Sequence, residues 1–364
     1  MIGKAACAIA AVLATTACSF GDDQPSRPEL ASGKPLPVRC KVGSVRPAAT
    51  VTFVANGRAW ALEPGDGRLS CLFRVRHPGP FVWGPRGDRA LLARLQVKGF
   101  GHAPTRPPTR VDPAATSWGR PIGKSIVFVG RGRHALLKAH PAGGGFKDVT
   151  PVQGVSYERV VYHPSGLAFA FVLKRGRHES IWMSSNVGAN PRKLVHGRLH
   201  TGFDAIAFGE RGAVLYFAAQ HVDHRVDVHV LPLGGANNAP VVWRGGPEER
   251  VTDLFAGRGA DIAFTAGRSC ESRRAVVVAA RHRRGADLLP DQHRSRALGW
   301  LDDRHVLVAT GGCGEKLDLY SVSAASLQAR LLVRAVDAAS VRRAEPLPPP
   351  PLPPEILGAR SSFA

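Results

Sequence analysis

One stretch constrains the rest of this chain more than any other. Residues 160–194 read VVYHPSGLAFAFVLKRGRHESIWMSSNVGANPRKL. The opening Val-Val-Tyr is β-branched and aromatic, the composition of a strand. His163-Pro164-Ser165-Gly166 reads as a turn, because Pro presets φ and Gly accepts the positive φ of a tight turn. Residues 168–172 (AFAFV) form a second apolar run, 174–179 a polar loop, and Ile181-Trp182-Met183 a third strand. Residues 186–190 turn the chain again, and Arg192-Lys193-Leu194 begins a fourth strand. Four antiparallel strands in about 40 residues are the unit of a β-propeller blade.

The unit recurs. Its turn-and-strand half returns at 83–93 (WGPRGDRALLA), 208–217 (FGERGAVLYF), 256–264 (AGRGADIAF) and 299–309 (GWLDDRHVLVA). Its hairpin half returns at 59–72, 135–150, 227–242 and 317–332. The spacing is roughly 45 residues, as in blades. A blade has two apolar faces and cannot bury both alone, so neighbours must stack in a ring.

These repeats resemble the TolB-like propellers. That family's blades carry Trp-Ser-Pro-Asp-Gly before an apolar strand, then Ile-Tyr/Trp, a Gly turn and Leu-Thr. Trp83, Pro85, Gly87, Tyr162, Pro164, Gly166, Ile181, Trp182, Gly188 and Leu194 sit at matching places, and the resemblance runs from Thr52 to Val336. Arg86, Ser165, Arg211 and Arg258 stand where the family has its turn Asp. The expected fold is all-β, a single propeller of six four-stranded blades, with five or seven as alternatives. The units fall at 51–73, 81–150, 156–197, 202–244, 250–288 and 296–333, and a strand within 331–341 is expected to pair into the N-terminal blade. Such closure removes the exposed sheet edge.

Residues 1–17 read as an export signal, with Lys4 in a positive n-region and 5–14 as a short apolar segment. A bilayer-spanning helix needs about 20 apolar residues, more than are present here. Thr15-Thr16-Ala17-Cys18 resembles a bacterial lipobox, which makes Cys18 the expected lipidated N-terminus, although Thr15 replaces the usual Leu. The alternative is cleavage and secretion. Either way the protein is exported, and with lipid it is anchored at the outer face of the cytoplasmic membrane. Residues 18–44 read as a tether, 45–343 as the propeller with an inserted loop at 99–124, and 344–364 as a Pro-rich spacer favouring polyproline II.

With Cys7 removed in the signal segment and Cys18 set aside for lipid, Cys40, Cys71, Cys270 and Cys313 remain, an even number in an oxidising compartment. Cys270 follows Ile262-Ala263-Phe264 and Cys313 follows Val306-Leu307-Val308, so both sit after the second strand of adjacent blades. Equivalent loops of neighbouring blades lie side by side, and a Cys270–Cys313 bond is expected to stabilise by about 4 kcal/mol in the chain-entropy picture. Cys40–Cys71 would then pin the tether to the first blade. No CxxC pair supports a zinc site.

The sequence offers little chemistry. His221, His224 and His229 read as solvated surface histidines, and no metal or cofactor is expected. There is no Gly-x-Ser-x-Gly elbow, P-loop or dinucleotide fingerprint. The expectation is a non-enzymatic binding or scaffold module of the cell envelope, acting as a monomer. The alternative is a lyase- or glycosidase-type enzyme using the central funnel, which would show convergent ionisable groups there.

The formal charge of +21 comes mostly from Arg. Export argues against nucleic acid as the partner. In the family's blade order the Pro-x-Gly turns lie on one face of the ring. The loops after the second strands and the links between blades lie on the other. That loop face collects Lys174, Arg175, Arg177 and His178, then His221, His224 and Arg225, then Arg268, Arg273 and Arg274. The links add Arg74, Arg76, His77, His196, Arg198, His200, Arg294 and Arg296, and the inserted loop adds Arg106 and Arg110. The expected partner is anionic: phospholipid headgroups, an acidic wall polymer or an acidic protein. Coding bias alone would spread the charge equally over both faces.

Overall fold

The computed structural model of the protein describes residues 27–39, 48–75, 79, 81–84, 87, 89–92, 96–99, 116–119, 125–140, 146–197, 200–209, 211–234, 238–279 and 281–342. Among them every regular element is a strand. The short β1 (Glu29–Leu30) precedes β2 (Val51–Ala55), β3 (Arg58–Leu62) and β4 (Leu69–Arg74). Next come β5 (Phe81–Trp83), β6 (Arg89–Leu92) and β7 (Gln96–Gly99). Four-stranded units follow: β8 (Thr116–Trp118), β9 (Ile126–Val129), β10 (Leu136–Ala139) and β11 (Phe146–Asp148); then β12 (Ser156–Tyr162), β13 (Ala168–Arg175), β14 (His178–Ser185) and β15 (Arg192–Val195). After them come β16 (His200–Phe208), β17 (Val214–His221), β18 (Arg225–Pro232) and β19 (Val241–Pro247). The last units are β20 (Arg250–Ala256), β21 (Ile262–Gly267), β22 (Arg274–Val278) and β23 (Ala286–Asp287), then β24 (Ser295–Trp300), β25 (His305–Thr310), β26 (Leu317–Ser323), β27 (Ala329–Val336) and β28 (Ala338–Val341).

These strands pair antiparallel into a propeller. Six sheets have the four strands of a full blade or more, and β5-β6-β7 forms a three-stranded sheet of its own. The unit read at 81–150 therefore divides in two, a short sheet and the full blade β8-β9-β10-β11. The 99–124 segment, expected as a loop, contains β8 at its end. The missed signal is Trp118-Gly119, which repeats the aromatic–Gly pair of Trp83-Gly84 and Phe208-Gly209.

Closure works as the pattern implies. β28 pairs with β2, Val51 opposite Val341 and Val54 opposite Ala338, so the C-terminal strand completes the first blade. Residues 27–39 of the expected tether pack onto the ring. β1 adds a fifth strand outside β27, and Leu36 is buried in the same core cluster as Val333.

The strand β13, AFAFVLKR, shows how the ring is held. Period-2 alternation sends successive side chains to opposite sheet faces. Ala168, Ala170 and Val172 pack towards the following blade with Phe203, Leu215 and Phe217. Phe169, Phe171 and Leu173 pack towards the preceding blade with Val127, Val129 and Leu136. Both faces are buried, so the run is apolar throughout. Each Phe buried this way contributes about 1.5–3 kcal/mol.

Tryptophans at the ends of inner strands are joints between blades. Trp83, Trp118 and Trp300 end the first strands of their sheets, and each indole Nε1 donates to the preceding sheet. The acceptors are Thr52 Oγ1 at 2.8 Å, the Val82 carbonyl at 2.8 Å and the Phe255 carbonyl at 3.1 Å. Gly257, which follows Ala256 at the end of β20, makes room for the next blade's aromatic ring. A Cβ on Gly257 would come within 2.6 Å of the Trp300 ring.

The signal segment, Cys18, Cys40, Arg76, His77, Arg86, Arg106, Arg110, Arg198 and the Pro-rich tail lie outside the described residues.

Candidate functional site

A propeller can act through its central channel or through a loop face. At the turn end the inner strands surround a cavity of about 300 Å³, lined by Trp83, Ser117, Tyr162, Phe208, Phe255 and Trp300 among others. Residues of β5, β8, β12, β16, β20, β24 and β28 all contribute to the lining, so the three-stranded sheet takes its own place in the ring. The lining is aromatic and aliphatic, with hydroxyls from Ser117 and Tyr162. Among the described lining residues there is no carboxylate, imidazole, amine or thiol.

The neighbouring turn holds a buried histidine. His163 Nε2 lies 3.0 Å from the Gly212 carbonyl, and Nδ1 lies 2.8 Å from Ser165 Oγ and accepts from the Ser165 backbone N–H at 3.1 Å. This assigns the neutral Nε2–H tautomer. Burial pushes the pKa of His163 below its ordinary value, against the Gly212 hydrogen bond that raises it. The ring packs edge-on to Phe208 at 5.0 Å and ties one blade's turn to the next. Ser165, at the place of the family's turn Asp, is one of its partners.

At the loop end, ion pairs cross from blade to blade. Asp204 on β16 is buried and accepts from Arg250 Nε at 3.1 Å, Gln220 Nε2 at 3.0 Å and the Val251 N–H at 3.3 Å. One blade on, Asp253 accepts from Arg296 Nε at 3.1 Å. These carboxylates serve as links between inner strands, each committed to an arginine of the following blade.

The loop-face cations of the blade β20–β23 are also committed. Arg274 reaches Glu249 at 3.1 Å and Asp287 at 2.9 Å, and lies over the Trp243 ring at 5.8 Å. Arg268 donates to the Pro247 carbonyl at 3.1 Å and lies 3.9 Å from Glu248. Arg273 is half-buried and donates to the Gly311 carbonyl at 3.1 Å; burial, with Arg296 nearby, pulls its pKa down. Beside them Cys270 and Cys313 form a disulfide with Cα atoms 5.7 Å apart. Cys71 is also disulfide-bonded, and its expected partner Cys40 lies outside the described residues.

The blade β16–β19 is intermediate. Arg225 lies 3.7 Å from Asp223, and His224 is exposed at the hairpin tip with φ of 63°. His221 ends β17, where a loop was expected, and its Nε2 lies 3.2 Å from Asp227 Oδ2. Burial lowers the pKa of the nearby His229.

The blade β12–β15 differs. Lys174 lies 3.8 Å from Glu179, but Arg175, Arg177 and His178 have no carboxylate partner among the described residues. Arg175 and His178 border a groove of about 380 Å³ with Trp182, Lys193 and His196. Lys193 Nζ sits 5.2 Å from the Trp182 ring centroid, and the Trp182 indole donates to Ser180 Oγ at 2.8 Å.

No protein-family model matches the sequence, and no curated protein does. Solved structures match. TolB from Acinetobacter baumannii aligns with a TM-score of 0.50 at 13% identity, covering 79% of this chain and 77% of TolB. This is a TolB-like β-propeller fold. Other similar structures include one from a study of two prolyl endopeptidases, with a TM-score of 0.57 at 10% identity. That match covers 82% of this chain and only 49% of the endopeptidase. The dihydro-heme d1 dehydrogenase NirN, solved in complex with DHE, aligns with a TM-score of 0.50 at 12% identity, over 85% of this chain and 78% of NirN. At these identities the likeness is one of fold, shared by TolB and by enzymes.

Proposed function

We propose that this TolB-like propeller is an exported binding module, lipid-anchored through Cys18, that holds an anionic polymer of the cell envelope at the β13–β14 corner of its loop face. The observation that carries the reading is the contrast in pairing. Arg175, Arg177 and His178 lack carboxylate partners among the described residues, while Arg268 and Arg274 two blades away have them. Unpaired guanidinium groups are free to bind carboxylate or phosphate oxygens in the bidentate manner. The groove beside them adds the face of Trp182, which suits the apolar face of a sugar ring, with Lys193 and His196 at its rim. Together they fit an acidic saccharide or sugar-phosphate chain better than a bare headgroup.

The test is binding of isolated anionic wall polymer to the purified protein, alongside vesicles of anionic phospholipid. Polymer binding should fall with salt, since the Debye length is only about 8 Å at physiological ionic strength. It should also weaken by at least about tenfold in the Arg175→Glu, Arg177→Glu double variant. Equal binding by that variant sinks the reading, and preference for the vesicles shifts it to a lipid surface. Cys18→Ala should release the protein from the membrane fraction; retention there removes the lipid anchor from the proposal.

An enzyme working through the funnel is the second reading, favoured by the likeness to propeller-containing enzymes. It has less support, because the funnel's described lining offers only hydroxyl and indole groups for acid–base work.

A further inference from the structure

We propose that His221, Asp227 and His229 form a zinc-class metal site on one face of the β17–β18 hairpin. Strand register brings them together. Ala219 pairs with Asp227 and Phe217 with His229, so Asp227 and His229 project from the same face, two residues apart. His221, two residues beyond Ala219, projects from that face too and is the diagonal neighbour of Asp227. One ligand atom from each residue lies within 4.8 Å of the others. The closest pair, His221 Nε2 and Asp227 Oδ2, is 3.2 Å apart. A tetrahedral zinc ion with bonds of about 2.0–2.1 Å needs ligand atoms about 3.3 Å apart, within reach of small side-chain rotations.

The surroundings prepare the ligands. His229 is 7% exposed and stacks on Phe217 with ring centres 4.9 Å apart and planes 5° from parallel. Its Nδ1 sits 2.9 Å from the Ala239 carbonyl. An Nδ1–H donated there leaves the Nε2 lone pair for the cluster, as the outer partner of a metal-bound imidazole commonly does. The Asp227 and His221 side chains are 14% and 27% exposed, so an ion can enter from the His221 side.

The ligand set decides the class of ion. Two imidazoles and one carboxylate suit zinc and its first-row neighbours and disfavour calcium, which takes oxygen ligands. Arg244, opposite Asp227 on β19, opposes a cation but is exposed to solvent. Three protein ligands leave a fourth position for water or for an anionic group of a partner. The sequence read His221, His224 and His229 as solvated surface histidines; the structure buries His229 and brings Asp227, not His224, to it and His221.

The experiment is equilibrium dialysis of Zn²⁺ against tag-free, chelator-stripped full-length protein in detergent, with Co²⁺ absorption as the coordination readout. One equivalent of Zn²⁺ should bind, Ca²⁺ should not compete, and Co²⁺ should give the intense visible bands of a four-coordinate site. His221→Asn and Asp227→Asn, both partly exposed and expected to fold, should weaken Zn²⁺ by about 10- to 100-fold. His293→Ala, an exposed histidine elsewhere on the ring, should change nothing. Failure of folded wild-type protein to bind Zn²⁺ saturably, or unchanged affinity in both Asn variants, overturns the site.

Discussion

The β13–β14 and β21–β22 hairpins hold the same place in two blades of one ring, and both are rich in cations. Their electrostatics are nonetheless opposite. In the β21–β22 blade, Arg274 is clasped by Glu249 and Asp287, Arg268 sits near Glu248, and a disulfide closes the loop onto the next blade. On the β13–β14 hairpin Lys174 lies near Glu179, while Arg175 and Arg177 face solvent with no carboxylate partner among the described residues. A count of arginines therefore does not give the field of a surface. Where a carboxylate from the neighbouring blade arrives, the cation becomes a joint, and where none arrives it can serve a partner.

Four measurements can break or sharpen this contrast. The largest effect is expected at the disulfide. Replacing Cys270 and Cys313 together by Ser opens a loop with a sequence separation of 43 and should cost about 4 kcal/mol, read from the urea midpoint. Binding to anionic polymer should survive in the folded fraction; if binding is lost as well, the two hairpins are not independent.

Next is Arg274→Ala. It leaves Glu249 and Asp287 without their shared cation, and Glu249 is mostly buried. A loss of about 2 kcal/mol is expected, discounted because a third of the Arg274 side chain is already in water. No loss of stability would mean that the pairing is decorative and the contrast between the hairpins hollow.

A third effect depends on pH. Burial holds the pKa of His163 below its ordinary value of about 6.5, so the unfolded chain binds a proton that the native state refuses. Its contribution is present above the unfolded pKa and is lost as pH falls through the lower folded value. Stability should fall on acidification below about pH 6.5, and His163→Asn should flatten that slope. Burial lowers His229 too, so some slope should remain. A slope unchanged in His163→Asn would show that the turn joint does not titrate as argued.

The smallest stability effect belongs to the binding hairpin. Arg175→Glu with Arg177→Glu should shift stability by no more than about 0.5 kcal/mol, as for surface sites without partners. A larger loss by thermal denaturation would reveal a structural role for these arginines and remove the basis of the contrast.

The sequence alone determined the class of fold, because its evidence is local. Apolar runs such as AFAFV and the Pro-x-Gly turns each act over a few residues and repeat with the blade. The pairing of β28 with β2 and of Cys270 with Cys313 also followed, since equivalent positions in neighbouring blades must be neighbours in space. Tertiary structure decided what depends on contacts across blades. Arg250 reaches Asp204 over 46 residues and Arg296 reaches Asp253 over 43, separations at which many charged pairs could have been drawn. The division of 81–150 into two sheets was hidden because β8 lies inside a stretch whose prolines and glycines read as one long loop. Asp227 joined His221 and His229 only when β17 and β18 fixed their register, because a shift of one residue would have turned Asp227 to the other face of the sheet.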